Sequence, residues 1–395
     1  MMRSRRFRGR MAALRGSLAV AAASLLGFSS SAVAAPVPCS ANDLVAAINA
    51  ANAAGGGTIN LLSSCTYPLT SADNNVAGGN GLPVIVTPIV INGGGATIAG
   101  NGSDFRIFLI GGSPSASLTL NRVTVTGGTT GGPGGGIFNL EGTLILNGSL
   151  VTGNTSFAGG GGIVSGTTGT GPVGQTTLNN SEVSHNTVIT PPGEGGGGGI
   201  LNHAGTLTLN SSMVDNNSAN GGGGIASGTG NGNTGGKSLV TLNKSTITQN
   251  TATGGPLGGG GGLVNGGTLV SNTSQVTNNT APGSAGGGIL NHADATLNKT
   301  VVSGNTAFDD SSRDTGLGGG IGNINFGVPG APPPTLLINN STITDNSVSD
   351  DGAGGGIANF AFGGATGTVT IFHTLVNLNN PDNCFPGGSI AGCTG

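Results

Sequence analysis

The chain has 395 residues, of which 82 are Gly and 18 Pro, about one quarter in all. Collagen is excluded, because it needs Gly near one third in a strict three-residue period; aromatics at 3%, with no Trp, exclude a conventional core built on aromatic anchors. Charged residues are only 7%, so the chain folds only if a regular pattern buries small aliphatics efficiently.

In chain order, the first segment is basic and then apolar. Six of the twelve Lys and Arg (Arg3, Arg5, Arg6, Arg8, Arg10, Arg15) precede an apolar run from Leu18 to Phe28 and the small-residue site Ala32-Val33-Ala34. This reads as a secretory signal peptide over residues 1–34, with an apolar run too short to span a bilayer. The remainder keeps six basic and all fifteen acidic residues, a formal charge of −9. That balance argues against nucleic acid and anionic membrane surfaces as partners. No later apolar run is long enough for a transmembrane span.

Residues 35–92 read as an N-terminal cap. Ser40 to Asn52 places Leu44, Ala47, Ile48 and Ala51 on one helical face, Gly55-Gly56-Gly57 stops that helix, and Thr58-Ile59-Asn60-Leu61-Leu62 reads as a strand. The four cysteines are Cys39, Cys65, Cys384 and Cys393. They sit at the two ends, and Cys39–Cys65 with Cys384–Cys393 is the pairing, of three, that closes each end by a disulfide in an oxidising compartment. A zinc site is the alternative, without the Cys-x-x-Cys spacing or nearby His that would support it.

From 93 to 380 the chain repeats. Leu144-Ile-Leu-Asn147-Gly-Ser149-Leu-Val151-Thr-Gly-Asn154 recurs as Leu207 to Asn217 and Val240 to Asn250, with further copies ending at Asn186, Asn279, Asn305 and Asn346; a last copy ending at Asn379 has Phe372 in place of the first Asn. Each is preceded by a glycine run closed by an aliphatic residue, as at Ile137, Ile163, Ile200 and Ile225, and two positions later by Asn or Ser. Asn121 to Phe372 takes eight steps of about 31 residues. Within a unit the period is two, as in half-buried strands. Three short strands per unit, broken by Gly and Asn, predict an all-β parallel solenoid of about nine to ten coils, each residue stacking on its equivalent about 4.8 Å away. Aliphatics form interior ladders, and Asn154, Asn186, Asn217, Asn250, Asn279, Asn305, Asn346 and Asn379 form a structural corner ladder. Residues 381–395 read as a C-terminal cap loop, with Phe360, Phe362, Phe372 and Phe385 gathered near it.

The Gly-Gly-Gly-Ile and Val-x-x-Asn units resemble those of right-handed parallel β-helix proteins of the polymorphic outer membrane protein type, whose paired motifs are Gly-Gly-Ala/Gly-Ile and Phe-x-x-Asn. The stretch from Cys39 to Tyr67 resembles the N-terminal cap of secreted bacterial β-helix proteins. The resemblance implies right-handed coils, which the period does not show. Val or Ile replaces the Phe of the second motif, and no β-barrel translocator sequence follows within this chain.

Chemistry-bearing residues are sparse. One cluster stands out: Asp309, Asp310, Arg313 and Asp314 in the loop after Asn305, and Asp350 and Asp351 in the loop after Asn346. Both loops leave the same corner in consecutive coils, so five carboxylates and one Arg share a patch. Such a patch is either a solvated acidic surface or a Ca2+ site of carboxylate oxygens; an acid/base pair assisted by Arg313 is the third reading. His203 and His292 hold one repeat position three coils apart, about 14 Å by coil spacing, too far for one metal; His185 and His373 have no carboxylate companions in the sequence. Long Gly/Thr/Asn/Pro loops follow Ile163, Ile225 and Ile321 and suit glycan or protein contact. The expectation is a monomeric, secreted or cell-surface β-helix with a binding, adhesive or structural role, needing no cofactor and showing no catalytic centre. The alternative is a secreted polysaccharide lyase or glycoside hydrolase on the same scaffold.

Overall fold

The computed structural model describes residues 35–166, 174–191, 196–228, 238–254, 259–308, 317–349, 352–388 and 390–393. From Ala35 onward the chain forms one compact unit, a parallel β-helix in which every pairing between strands is parallel. One coil shows the plan. Thr206–Asn210 is a five-residue strand, Ser211 turns the corner at φ 48°, and Met213–Asp215 is the next strand. Asn216 turns a second corner at φ 53°; Ser218–Ala219 follows, then Gly222 at φ 58°, and Ile225–Ser227 closes the coil.

The first two strands of each coil belong to a broad twenty-stranded sheet, the third to an eight-stranded sheet and the last to a ten-stranded one. Right-handed winding is the norm for such parallel connections. Stacking is in register, residue on residue: Thr206↔Leu239 through Asn210↔Asn243, and Ile200↔Ile225 on the far wall. The aliphatic alternation is therefore read out as interior columns. Leu207, Val240 and Leu269 form one, Val151, Val183, Val214 and Ile247 another, all fully buried.

Corners are where this sequence does unusual work. The buried column Asn154–Asn186–Asn217–Asn250–Asn279–Asn305–Asn346–Asn379 is continuous: each Nδ2 donates to the Oδ1 of the next coil's Asn at 2.9–3.0 Å. Asn250 is typical. Its Nδ2 also donates to the carbonyls of Val214 (2.9 Å) and Thr248 (2.8 Å), and its Oδ1 accepts the backbone N–H of Asn217 at 3.0 Å. A second, half-exposed column ends the five-residue strands, from Asn60 through Asn210 and Asn243 to Asn339, with the donor in the later coil each time. Ser149, Ser181, Ser212 and Ser245 add a third, each Oγ accepting the backbone N–H of the residue one coil earlier.

The glycine runs lie where coil meets coil. A Cβ on Gly224 would stand 2.6 Å from the carbonyl oxygen of Gly262 and 2.9 Å from the Asn250 carboxamide, so no other residue fits.

Both ends are closed. Helix α1, Ala41–Ala53, has Ser40 as its N-cap, with Oγ accepting the N–H of Asp43 at 3.4 Å, and buries Leu44, Ile48 and Ala51 on the first coil. That coil lies within the 35–92 segment: Gly57–Asn60 pairs in register with Ile89–Asn92. Cys39 and Cys65 are disulfide-bonded, with Cα atoms 5.9 Å apart. Tyr67, fully buried, donates its hydroxyl to the Val37 carbonyl at 2.7 Å.

At the other end Cys384–Phe385 completes the ten-stranded sheet against Ile357–Ala358, and Cys384 is bonded to Cys393 with Cα atoms 6.3 Å apart. Asn383 takes the place of a further coil, its Oδ1 accepting from Asn379 Nδ2 at 3.0 Å. Of the four aromatics gathered near this end, Phe360 and Phe385 pack into an apolar cluster, whereas Phe362 and Phe372 are about half exposed. The aromatic set is thus only partly a cap.

The two Asn columns predict unequal costs. Asn250→Ala removes the partners of several buried backbone groups at once and should destabilise the fold by roughly 3 kcal/mol or more, whereas Asn243→Ala on the half-exposed column should cost about 1 kcal/mol. Urea unfolding of the two variants beside the wild type measures the difference; equal losses would refute the ranking.

Candidate functional site

Asp309, Asp310, Arg313, Asp314, Asp350 and Asp351 lie outside the described residues. The strands from which their loops depart are described. Thr306–Phe308 pairs with Ser347–Ser349 in register, and Asn305 Nδ2 donates to Asn346 Oδ1 at 2.9 Å.

The sheet with the most strands, the broad one, presents a regular outer face. With Leu, Val and Ile turned inward, the alternate positions form outward rows fixed by the same register. One row in the five-residue strands reads Thr119, Ile145, Thr177, Thr208, Thr241, Val270, Thr296, Leu337, Thr370, with no charge in it. Another, in the three-residue strands, reads Thr152, Ser184, Asp215, Thr248, Thr277, Ser303, Thr344. Hydroxyls hydrogen-bond along this second row, Thr277 Oγ1 to Thr248 Oγ1 at 3.1 Å and Ser184 Oγ to Thr152 Oγ1 at 3.4 Å.

Asp215 is the one carboxylate in that hydroxyl row, and it is 7% exposed. Its Oδ2 accepts from Asn216 Nδ2 at 2.7 Å, while its Oδ1 is buried with no hydrogen-bond partner among the described residues. Glu182 stands opposite Met213 on the adjacent coil and is therefore its diagonal neighbour. His185, exposed at the αL corner, donates its backbone N–H to the Asp215 carbonyl at 3.2 Å. Asn216 is exposed and donates to Gln249 Oε1 at 3.4 Å, extending the cluster one coil further. Burial is the main force raising the pKa of Asp215 above the usual carboxylate range; Glu182 adds to it, and Asn216 and His185 oppose it. His185 therefore does have carboxylate companions, contrary to the sequence reading: coil stacking brings Asp215, thirty residues away, beside it. The signal was present in the repeat alignment, which sets Ser184 against Asp215 and Glu182 two positions before that pair.

Three other titratable groups have pKa values moved by burial. His292 Nδ1 lies 3.0 Å from the Ile324 carbonyl, which only an Nδ1–H can satisfy, and its ring packs 4.6 Å from that of Phe326. Burial holds its pKa down at about 4. His203, three coils earlier, is likewise pushed down by burial. Arg106 is fully buried. It donates to Asn80 Oδ1 (2.8 Å) and to the carbonyls of Ala77 (3.0 Å) and Pro133 (3.1 Å), and lies over the Phe138 ring. It pins the 77–80 segment to the body, and burial lowers its pKa to about 10. Among the described residues, no group of three or more His, Cys, Asp or Glu is placed to hold a metal ion, and no helix is long and apolar enough to cross a membrane.

No protein-family model and no curated protein sequence matches the chain. Among solved structures it is similar to the A-module of the Azotobacter vinelandii mannuronan C-5 epimerase AlgE6, at 14% identity and a TM-score of 0.39, over 90% of this chain and 94% of that one. It is also similar to a mutant tailspike protein of the E. coli bacteriophage HK620 in complex with a pentasaccharide, at 13% identity and a TM-score of 0.35, over 86% of this chain. The match spans 60% of the tailspike chain.

Two pH dependences of opposite sign follow. Native His292 binds fewer protons than the unfolded chain between pH 6.5 and about 4, so stability should fall by roughly 3 kcal/mol as pH drops through that window. His292→Phe should flatten this acid slope in denaturant titrations. Native Asp215, with a raised pKa, binds more protons than the unfolded chain above the usual carboxylate range, so its contribution is lost as pH rises through that window. Asp215→Asn should therefore be more stable than wild type at pH 8 and no more stable at pH 4; the reverse order would refute the assignment.

Proposed function

We propose that this protein is a secreted or cell-surface β-helix that binds an extracellular glycan along the outer face of its broad sheet and does not cleave it. The observation that carries this reading is the pair of in-register outward rows, rich in hydroxyls and nearly free of charge, repeated at the coil spacing of about 4.8 Å. A rigid ladder of this kind offers an extended polymer many equivalent donors and acceptors with little side-chain entropy to lose, because Thr is stiff at χ1. The basic, then apolar, then small-residue segment 1–34 supports export, and two disulfides support an oxidising compartment. The repeat units support a relationship to the polymorphic outer membrane protein type. The Asp309–Asp351 loops are a secondary candidate, as a Ca2+ site on the same solenoid. A hydrolytic or lyase reading draws on the Glu182 and Asp215 carboxylates.

The test uses the mature chain with a panel of soluble and insoluble polysaccharides, with and without Ca2+. Retention on one or more polymers with no new oligosaccharide masses and no new ultraviolet absorbance is the expected result. Released oligosaccharides would replace binding by catalysis, and absence of both retention and release would remove the glycan reading altogether.

A further inference from the structure

We infer that the sugar-binding centre of that face is the cluster of Asp215, Asn216, Gln249, Glu182 and His185, and that its ligand is a neutral, hydroxyl-bearing polysaccharide rather than a uronate or sulfated one. The inference rests on the glycan reading and narrows it in place and in chemistry.

Three observations lead there. First, Asp215 is the departure in its row. Thr152 and Ser184 lie on one side and Thr248 and Thr277 on the other, so the coil's packing asks only for a small hydroxyl residue at this position. The carboxylate is more costly, since it is 7% exposed and its Oδ1 has no partner among the described residues. A buried acceptor left unpaired costs on the order of 1–3 kcal/mol, and of the five buried side-chain polar atoms without a partner among the described residues this is the one carboxylate oxygen. A ligand hydroxyl is a donor that would satisfy it.

Second, the residues around Asp215 are of the kind that reads vicinal hydroxyls. Asn216 and Gln249 are exposed, occupy equivalent αL corners of consecutive coils, and already touch through Nδ2 and Oε1. A carboxylate beside carboxamides offers acceptors and donors side by side, and His185 adds a ring that can donate or accept. The hydroxyl row continues along the axis on both sides of the cluster, so an extended chain would lie along the axis with this group near its middle.

Third, charge selects the polymer. Glu182 and Asp215 are both acidic. The basic residues of the broad sheet, Arg122, Lys244 and Lys299, stand at the other corner, between its two strands, and the corner beside Asp215 carries His185, Asn216, Gln249 and Asn278 in consecutive coils. A polyanion would meet two like charges, against which this corner sets His185 but no Lys or Arg.

The deciding measurement is affinity electrophoresis of the mature chain through gels containing mannan, xylan or a mixed-linkage glucan, beside gels containing polygalacturonate or chondroitin sulfate. Wild type should be retarded by at least one neutral polymer and by neither anionic one. Asp215→Ala and Asn216→Ala should each weaken that retardation at least tenfold, while Asp215→Asn, which keeps an acceptor oxygen, should weaken it less than Asp215→Ala. Asn216 and Gln249 are exposed, so Asn216→Ala and Gln249→Ala keep the test valid even if Asp215→Ala misfolds by circular dichroism. Unchanged retardation in Asn216→Ala and Gln249→Ala would overturn the location while leaving glycan binding intact. Preference for an anionic polymer would overturn the ligand class. Retardation by no polymer at all would fail the glycan reading itself.

Discussion

The buried asparagine column is the constraint on which everything else hangs. Each member from Asn154 to Asn346 is buried and makes hydrogen bonds to the coil before and the coil after, and Asn379, part-buried, bonds back to the coil before and on to Asn383. A carboxamide in that position can be satisfied only if neighbouring coils stack at one spacing and in one register, since a buried polar group without partners is costly. Coil length is then free to vary. Successive members are 26 residues apart between Asn279 and Asn305 and 41 apart between Asn305 and Asn346, yet the bonds are 3.0 and 2.9 Å. The surplus residues do not disturb the stack.

The composition follows from the same constraint. In-register stacking puts like on like, so a charged interior or edge column would repeat its charge every coil; low charge is what such a ladder tolerates. Aliphatics of moderate size fill columns a few ångströms apart, which leaves little use for Trp or Tyr: the one Tyr, Tyr67, is in the first coil under the helical cap, where the repeat has not begun. The two Asn columns run with opposite donor direction, the buried one donating toward the C-terminus and the half-exposed one toward the N-terminus. Each therefore needs a different terminator. Asn383 supplies an acceptor for the first, while Phe372 replaces the next donor of the second.

This logic also explains what could be read from the sequence. Leu144, Leu146 and Val151 alternate with polar neighbours, and their recurrence defined coil, strand and inward face together, because a solenoid converts sequence period directly into spatial stacking. Gly-Gly-Gly-Ile was legible for the same reason. The cluster around Asp215 was harder to see. Glu182, His185 and Asp215 are spread over 34 positions and look like three unrelated polar residues until the coils are aligned; the alignment gives their rows, but not that Asp215 is buried and short of a partner. Burial of an outward residue depends on what the corner residues of two coils do, and a repeat alignment carries no such information. Phe362 and Phe372 show the opposite failure. Aromatic residues near a chain end read as cap, yet only Phe360 and Phe385 of the four join the closing groups, beside Cys384, Ile390 and Asn383.

A fold specified by its inward columns leaves its outward rows to be set by something else. On the broad face most positions have taken the neutral choice, Thr or a β-branched aliphatic, which suits strand geometry and contributes to pairing without specifying a ligand. At coils joined by Ser184↔Asp215 the choice is not neutral. Two acidic side chains are set diagonally on a surface otherwise almost without them, and one is nearly buried although a Thr or Ser occupies the equivalent position in the coils on either side. Strand propensity disfavours Asp, and packing does not require it. A residue that works against local preference, pairing and solvation at once marks the part of the surface that the fold alone does not account for.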